Sequence, residues 1–287
     1  MEPIKGSREV SKLSTKDDII SSMPDIVITH ILNLLPIQDA VRTSILARNW
    51  RFKWTTLTQL VFDEDFVEYL LRLYVEGNDN WYDERIISNL LIHLKGPITK
   101  FFLHVPNEKE LNVKDLHHWV LILSRKGIME LTLENCNGRE IELPTYLSSC
   151  LELTHLKLYN CHFHSVPTFG SFPNLLSLDL SWVTFASDFC EIIIMCPRLE
   201  ILVFGNDLYT DFTSKLKLVE IAKLRNLKML SFPLRALDST PITNSFSFNL
   251  GGYFPELQEL DLNFLNCKVR PSWVFKSNIT LCCSNAL

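Results

Sequence analysis

Cysteine and histidine side chains are most closely grouped at Cys161, His162 and His164, a cluster that could begin a zinc site. A structural zinc site uses four ligands, and no second ligand pair lies at a matching spacing. No two of the eight cysteines are spaced as in a CxxC pair. We therefore expect no metal ion, and free buried thiols rather than a disulfide framework.

Catalytic side chains are not grouped in any familiar pattern along the chain. The motifs Gly-x-Ser-x-Gly, Gly-x-x-x-x-Gly-Lys and HExxH are absent. His117 and His118 are adjacent in a stretch with helical character, where one of them is expected to face solvent. Only 9 of the 287 residues are glycine, which leaves few places for phosphate-binding loops. The sequence thus predicts no catalytic residue, no cofactor and no enzymatic activity.

The composition limits the partners that the chain can bind. It is 47 % hydrophobic and 21 % charged, with a formal net charge of -5, so the chain has enough apolar material for a folded core. The negative charge argues against binding to nucleic acid or to an anionic membrane. The polar N-terminus lacks the apolar stretch of a secretory signal, and no segment is long enough to span a bilayer. We expect a protein of the nucleus, the cytoplasm or both.

One short pattern recurs along most of the chain: an apolar residue, two others, an apolar residue, one other, and an apolar residue. Its eight copies begin at Leu57, Ile98, Ile128, Leu153, Leu175, Leu199, Leu227 and Leu257. The middle copies are 22 to 25 residues apart, the spacing of leucine-rich repeats, and the outer copies carry insertions. The last two apolar positions alternate as in a short strand, and stacked units share a core. The pattern predicts an α/β fold, a curved solenoid with a parallel sheet on its concave face.

The returns between strands are expected to be helical or irregular. Residues 113–126 have helical periodicity and are followed by Gly127, a typical C-terminal cap. Residues 83–94 form a second predicted helix within the first long gap.

Side chains that alternate with the buried ones should line the concave face, where mixed charges and aromatic anchors suit protein recognition. The residues that we favour as a substrate face are six of these alternating positions, Lys100, Phe102, His155, Lys157, Tyr159 and Asp179, together with Trp182 as an aromatic anchor. The other residues at alternating positions are His104, Glu130, Thr132, Glu134, Ser177, Ser181, Ile201, Val203, Met229, Ser231, Glu259, Asp261 and Asn263. The alternative is a solvated sheet surface with no partner.

Residues 23–54 differ from the repeats and read as a helix, a proline and a second helix. Pro24 and Asp25 suit the first turn of a helix. That helix has apolar residues at helical spacing and ends at Pro36: Ile28, Ile31, Leu32 and Leu35. Asp39 is expected to open the second helix, with three residues on its inner side and two tryptophans at its end: Ala40, Val41, Leu46, Trp50 and Trp54. Thirty residues cannot bury so many apolar groups, so a folded partner is their natural cover.

This segment resembles an F-box, and the whole chain resembles the plant F-box/leucine-rich-repeat proteins of the FBD group. The matching motifs are Met23-Pro24-Asp25, Leu35-Pro36, the Asp39–Ser44 helix start and the Trp50 and Trp54 pair. Met23 stands where the family usually has leucine, and no FBD segment is recognisable after the last repeat. The resemblance implies four segments: a disordered tail at 1–19, an F-box at 20–55, the solenoid of about eight strands at 56–265, and a C-terminal tail at 266–287 that need not be structured.

The resemblance also implies a function, that of the substrate-recognition subunit of an SCF-type ubiquitin ligase. The F-box would bind a Skp-type adaptor and through it a cullin and a RING protein, while the repeats hold an unknown protein substrate. The residues expected to make or support the adaptor contact are Met23, Pro24, Ile28, Ile31, Leu32, Leu35, Pro36, Val41, Leu46 and Trp50. Trp50 and Trp54 are also expected to fix the F-box to the repeats.

Two other functions remain open from the sequence. The chain could be a leucine-rich-repeat scaffold without ligase coupling, which adaptor binding would distinguish. It could also be a ligase-linked receptor for a small molecule, which would need a deep polar pocket. The predicted face holds only Lys100 and Lys157 as full positive charges, so a basic pocket for a polyanionic cofactor is not evident.

Overall fold

A computed structural model of the chain describes residues 22–73, 83–163, 172–185, 196–205, 221, 223–235, 255–265 and 280–282. The predicted disordered tail at 1–19 lies outside the described residues. Within the described part there are five α-helices: α1 (Asp25–Asn33), α2 (Ile37–Arg42), α3 (Glu64–Leu73), α4 (Arg85–His93) and α5 (Val113–Lys126). Short 3₁₀ helices cover Thr43–Ile45, Arg48–Trp50, Lys53–Thr56 and Thr145–Ser149.

The main sheet has nine parallel strands, arranged in chain order. They are β1 (Gln59–Phe62), β2 (Lys100–Val105), β3 (Glu130–Asn135), β5 (His155–Tyr159), β7 (Ser177–Ser181), β9 (Ile201–Phe204), β10 (Met229–Arg235), β11 (Glu259–Leu265) and β12 (Thr280–Cys282). The eight predicted repeats correspond to the first eight of these strands, so the α/β repeat fold is confirmed. The curvature of the solenoid stays a prediction.

The first apolar residue of each repeat lies two residues before its strand and packs into the core. All eight of these residues are almost fully buried, from Ile98 and Leu175 at 0 % exposure to Leu257 at 6 %. Within the strands, buried and half-buried residues alternate, as in β3 and β7. This is the pattern expected when stacked units share one apolar core.

A second, smaller parallel sheet was not predicted from the sequence. Its strands are β4 (Ile141–Glu142), β6 (Cys161–Phe163) and β8 (Thr184–Phe185), each of which follows a strand of the main sheet. Asn160 and Trp182, with φ of 53° and 54°, form the corners between the two sheets. Phe163 and Phe185 stack with ring centroids 5.1 Å apart. The returns therefore contain a regular strand where the sequence indicated irregular structure.

Helix α5 has the predicted bounds and the predicted C-terminal cap, and it also has an N-terminal cap that was not predicted. Asn112 Oδ1 accepts a hydrogen bond from Lys114 N at 3.0 Å, and Gly127 has the left-handed φ of 77°. Trp119 is fully buried and its Nε1 donates to Ser88 Oγ of α4 at 2.8 Å. The predicted helix at 83–94 is thus α4, while α3 in the same long insertion was not predicted.

Two sequence predictions about the second helix are corrected. The second helix begins at Ile37 rather than Asp39, because Pro36 takes the N-cap position. It ends at Arg42, and the chain continues in 3₁₀ turns that place Leu46 on the outside, at 70 % exposure, instead of the inside. In the C-terminal tail, whose structure the sequence left open, Thr280–Cys282 pairs with β11 as the ninth strand. No described helix has the length and apolar content needed to cross a membrane.

Candidate functional site

The N-terminal helices have a small core of their own. Ile28 and Leu32, one turn apart on α1, are fully buried, and Ile37 and Ala40 of α2 are buried beside them. Trp50 is 7 % exposed and belongs to the same continuous core as the first repeat. These side chains hold the helix pair together and against the solenoid.

Polar contacts also fasten this helical unit to the start of the first repeat. Asn33 Nδ2 donates to Thr58 Oγ1 at 2.9 Å, and Thr58 N donates back to Asn33 Oδ1 at 3.1 Å. Thr29 and Thr56 share a hydrogen bond of 2.7 Å between their hydroxyls. Arg42 lies 4.9 Å from the centre of the Tyr69 ring of α3, a cation–π distance. The inner side of α1 is therefore partly polar and already satisfied by the solenoid.

The opposite side of the helical unit is apolar and exposed. Ile26, Leu34, Ile45, Leu46 and Phe52 are each more than 60 % exposed. Val27, Ile31 and Leu35 are also exposed, and Val27, Ile31 and Leu34 follow the spacing of one helix side. We call these eight residues the outer apolar surface. The concentration of these exposed apolar residues within positions 26–52 makes this unit the candidate protein-interaction site, since exposed apolar patches mark such sites.

The residues predicted for adaptor binding divide between the two sides of this unit. Ile31, Leu35, Leu46, Pro24 and Pro36 are exposed. Met23 and Val41 are half-buried, and both pack against the core.

Three of the residues predicted to make or support the contact are placed where they can only support it. Ile28, Leu32 and Trp50 are buried in the chain's own core, so a partner cannot reach their side chains without a rearrangement. Trp54 is half-buried against the core, and its ring lies 6.2 Å from that of His93 on α4.

Five members of the outer apolar surface were not predicted: Ile26, Val27, Leu34, Ile45 and Phe52. The signal for the first three was present in the sequence. Apolar residues of α1 lie on its outer side as well as its inner side, which in a short surface helix indicates a second covered face.

The second candidate surface is the side of the main sheet opposite the core. We call it the strand face and define it by the alternating residues of β2, β3, β5, β7, β9, β10 and β11 from Lys100 to Asp261. The strands are aligned without offset, so equivalent residues form rows. The middle row contains Phe102, Thr132, Lys157, Asp179, Val203, Ser231 and Asp261.

Cross-strand ion pairs occupy the N-terminal part of the strand face. Lys100 Nζ lies 3.3 Å from Glu130 Oε2 of the neighbouring strand. Lys157 Nζ lies 3.0 Å from Glu134 Oε1, and Glu134 Oε2 lies 3.8 Å from His104 Nδ1. Both lysines of the face are therefore paired with a carboxylate of the same face.

The carboxylates of the C-terminal part are in a different environment. Burial raises the pKa of Asp179, an effect that Lys157 partly offsets and Glu134 adds to. Asp261 Oδ2 accepts a hydrogen bond from Ser231 Oγ at 3.0 Å. Asp261 Oδ1 is buried and accepts no hydrogen bond from the described residues.

The predicted substrate face needs one correction, at Trp182. This residue follows β7 at the left-handed corner that leads to β8, so it lies at the sheet margin and outside the rows. Phe102, Tyr159, Lys100, His155 and Lys157 lie on β2 and β5 as expected.

The cysteine and histidine cluster does not form a metal centre in the part of the chain that the structure describes. No three His, Cys, Asp or Glu side chains are grouped there so as to hold an ion. Burial raises the pKa of the Cys161 thiol to about 12, and His162 Nδ1 is 2.6 Å from Thr184 Oγ1. His164 lies outside the described residues. On α5, His118 is exposed and His117 half-buried.

Comparison with known protein families supports the resemblance seen in the sequence. The F-box domain matches residues 20–60, which include α1, α2 and the start of β1. The leucine-rich repeats of the FBD-associated F-box protein At5g56370 match residues 116–216, from α5 onward. The two regions do not overlap and follow each other in the order that the fold shows.

Individual relatives come from Arabidopsis thaliana. The F-box/FBD/LRR-repeat protein At1g13570 is 41 % identical over 64 % of this chain and 43 % of its own length. The F-box/FBD/LRR-repeat protein At5g56420 is 31 % identical over 65 % of this chain and 43 % of its own length. The F-box protein At4g09920 is 30 % identical over 64 % of this chain and 57 % of its own length. The chain thus spans about half the length of these curated relatives.

Proposed function

We propose, from the premise that this chain joins an F-box to leucine-rich repeats of the plant FBD-associated group, that it is the substrate-recognition subunit of an SCF-type ubiquitin ligase. Its F-box would bind a Skp-type adaptor, which connects it to a cullin and a RING protein. Its repeats would bind a protein substrate in the nucleus, the cytoplasm or both.

The observation that carries this proposal is the outer apolar surface. Leu34, Ile45 and Leu46 are each at least 70 % exposed, although the helices that carry them have a complete core on their other side. Leaving large apolar side chains in water costs roughly 25 cal/mol for each Å² of apolar area. A partner that covers this surface recovers that free energy. The surface lies within residues 20–60, the region that matches the F-box domain.

The role of the chain in such a complex is proximity. The adaptor contact fixes one end of the molecule, and the repeats hold the substrate at a set distance from it. Holding two reactants together raises their effective concentration and replaces an encounter in solution by an intramolecular step. Bond making would be carried out by the partner enzymes, so this chain needs no catalytic side chain of its own.

Co-expression with a Skp-type adaptor tests the proposal. We expect the full chain to co-purify with the adaptor, and the double variant Leu34→Asp, Leu46→Asp to lose it, because two desolvated carboxylates oppose an apolar contact. Leu151→Asp is the matched control, since Leu151 is 56 % exposed in a turn before β5, away from the F-box.

Unchanged folding of the variants is checked by circular dichroism and thermal unfolding. Retention of the adaptor by the double variant would contradict the contact surface. Failure of the unaltered chain to bind any Skp-type adaptor would favour a repeat scaffold without ligase coupling.

A further inference from the structure

The C-terminal part of the strand face has a charge pattern of its own. On β7, β9, β10 and β11, the two rows that begin at Lys100 and Phe102 contain three carboxylates and no lysine or arginine: Asp179, Glu259 and Asp261. Arg235 lies at the far end of β10, four positions after Ser231 and outside these two rows. The rows that begin at Lys100, Phe102 and His104 together contain five carboxylates and two lysines, and both lysines are paired within the N-terminal part. The negative charge of the face is therefore concentrated between β7 and β11.

Apolar side chains lie between these carboxylates. Val203 is next to Asp179 in the middle row, and Ile201 and Met229 are neighbours in the row beside it. All three are half-buried, so part of each side chain is open to a partner. This arrangement, an apolar centre with an acid at each end, is that of an interface core with a charged rim.

The two middle-row acids are suited to receive cations. Asp179 is half-buried, and its pKa is raised mainly by that burial. Asp261 Oδ1 is buried and unbonded among the described residues, while Oδ2 is held by Ser231. A buried carboxylate oxygen without a donor costs free energy, and a guanidinium or ammonium group would satisfy it.

Distances along the row define the spacing of the partner's cations. Asp179 and Asp261 are three strand steps apart, which is about 14 Å at about 4.8 Å per step. Four residues of an extended chain cover about 13 Å, and alternate residues point to the same side. Residues i, i+2 and i+4 of an extended segment that crosses the strands would thus face Asp179, the apolar centre and Asp261.

We propose that the strand face between β7 and β11 binds an extended protein segment with two basic residues four positions apart and an apolar residue midway between them. The segment is expected to be basic because its charge must complement that of Asp179, Glu259 and Asp261. Identification of this segment as part of a ligase substrate rests on the proposed function, whereas the binding itself does not.

Synthetic peptides and the purified full chain test this inference. The probe is a labelled nonapeptide, Gly-Ser-Arg-Ser-Leu-Ser-Arg-Ser-Gly, whose binding is measured by fluorescence anisotropy at low salt. One control peptide has glutamate in place of both arginines, and another has the arginines three positions apart. We expect the probe to bind at least about tenfold more tightly than either control, as the loss of a charged contact commonly weakens binding to that extent.

Charge variants of the protein make the result specific to the two acids. The double variant Asp179→Asn, Asp261→Asn should lose at least about tenfold in affinity for the probe. The reversal Asp179→Lys, Asp261→Lys should come to prefer the glutamate peptide, which a merely misfolded protein would not do. Glu152→Lys, an exposed turn position outside the rows, is the matched control and should leave binding unchanged.

Equal binding of the arginine and glutamate peptides by the unaltered chain, or an unchanged preference in the double Asn variant, would overturn the inference. Co-purification with the Skp-type adaptor separates this outcome from the proposed function. A chain that binds the adaptor and not the probe contradicts only the basic-segment inference. A chain that binds the probe and not the adaptor contradicts only the ligase role.

Discussion

Asn33 and Thr58 bind each other through two hydrogen bonds, so that the last residue of α1 is fixed to the residue just before β1. The Asn33 amide nitrogen donates to the Thr58 hydroxyl at 2.9 Å, and its oxygen accepts from the Thr58 backbone at 3.1 Å. The Thr58 carbonyl in turn accepts from Thr99 N at 2.8 Å, at the start of the second repeat. This chain of bonds connects the F-box with the sheet.

Removing the Asn33 side chain should loosen this connection. Asn33→Ala leaves a part-buried backbone N–H and a hydroxyl without their partner, so we expect the free energy of unfolding to fall by about 1–3 kcal/mol. Asn33→Asp keeps the acceptor for Thr58 N, and the hydroxyl of Thr58 can donate to the new carboxylate. It should therefore cost less than Asn33→Ala. Urea unfolding measures both, and equal stability of the Ala variant and the unaltered chain would contradict the structural role.

Leu32 and Leu46 should respond in opposite ways to the same substitution. Leu32 is fully buried, so Leu32→Ala is expected to destabilise the fold by about 2–5 kcal/mol. Leu46 is 70 % exposed, so Leu46→Ala should change stability by less than about 0.5 kcal/mol while weakening adaptor binding. Thermal unfolding and adaptor pull-down separate the two effects. A large loss of stability in Leu46→Ala would show that Leu46 is part of the core after all.

The buried thiols should be protected from alkylation. Burial raises the pKa values of Cys150, Cys161 and Cys196 to about 12, so almost no thiolate is present at pH 8. Cys136 is half-buried, and its pKa is raised as well, by burial and by Glu134 and Glu64. Iodoacetamide followed by peptide mass spectrometry should therefore show Cys136 reacting before the other three, and all four reacting in urea. Faster native labelling of Cys161 than of Cys136 would contradict this order.

The Asp179 carboxyl should make the fold less stable at neutral pH than at acid pH. Folding raises its pKa, chiefly by burial, so the unfolded chain ionises this group more easily. Below the unfolded pKa both states hold the proton and the group has no effect. As pH rises through the folded pKa, the ionised form costs stability.

Asp179→Asn should consequently be more stable than the unaltered chain at pH 7, and the difference should disappear near pH 3. Urea unfolding of the two proteins at both pH values measures this difference directly. The same variant should bind the basic nonapeptide more weakly, so stability and binding would change in opposite directions. A less stable Asn variant at pH 7 would show that the interaction of Asp179 with Lys157 outweighs burial.

The repeat register was predictable because each unit repeats the same physical requirement. Leu153, Leu175 and Leu199 are buried for the same reason, and any one of them identifies its strand two residues later. Thr280–Cys282 escaped prediction because its strand lacks the preceding apolar pattern. The left-handed corner at Trp182, which places this predicted anchor outside the rows, cannot be read from the alternation of apolar residues.

The F-box was predictable as a segment but not in the direction of its side chains. Helix α1 is apolar on both sides, so periodicity alone could not tell the inner Leu32 from the outer Ile31. The polar residues determine which side of α1 faces inward, because Thr29 and Asn33 form their hydrogen bonds with residues at the start of the solenoid. Leu46 was placed inside because the second helix was expected to continue, whereas the chain changes to 3₁₀ turns after Arg42.

The common register of the strands also has a consequence for how such proteins can diversify. The paired residues Gln59 and Lys100 are 41 positions apart in the chain, whereas the paired residues His155 and Ser177 are 22 positions apart. Neither length alters the alignment of the rows. Insertions in a return can therefore accumulate without moving any binding position, and a single codon can change one position without disturbing its neighbours. Recognition in this fold can be rewritten one residue at a time, by evolution or by an engineer, on a scaffold that stays the same.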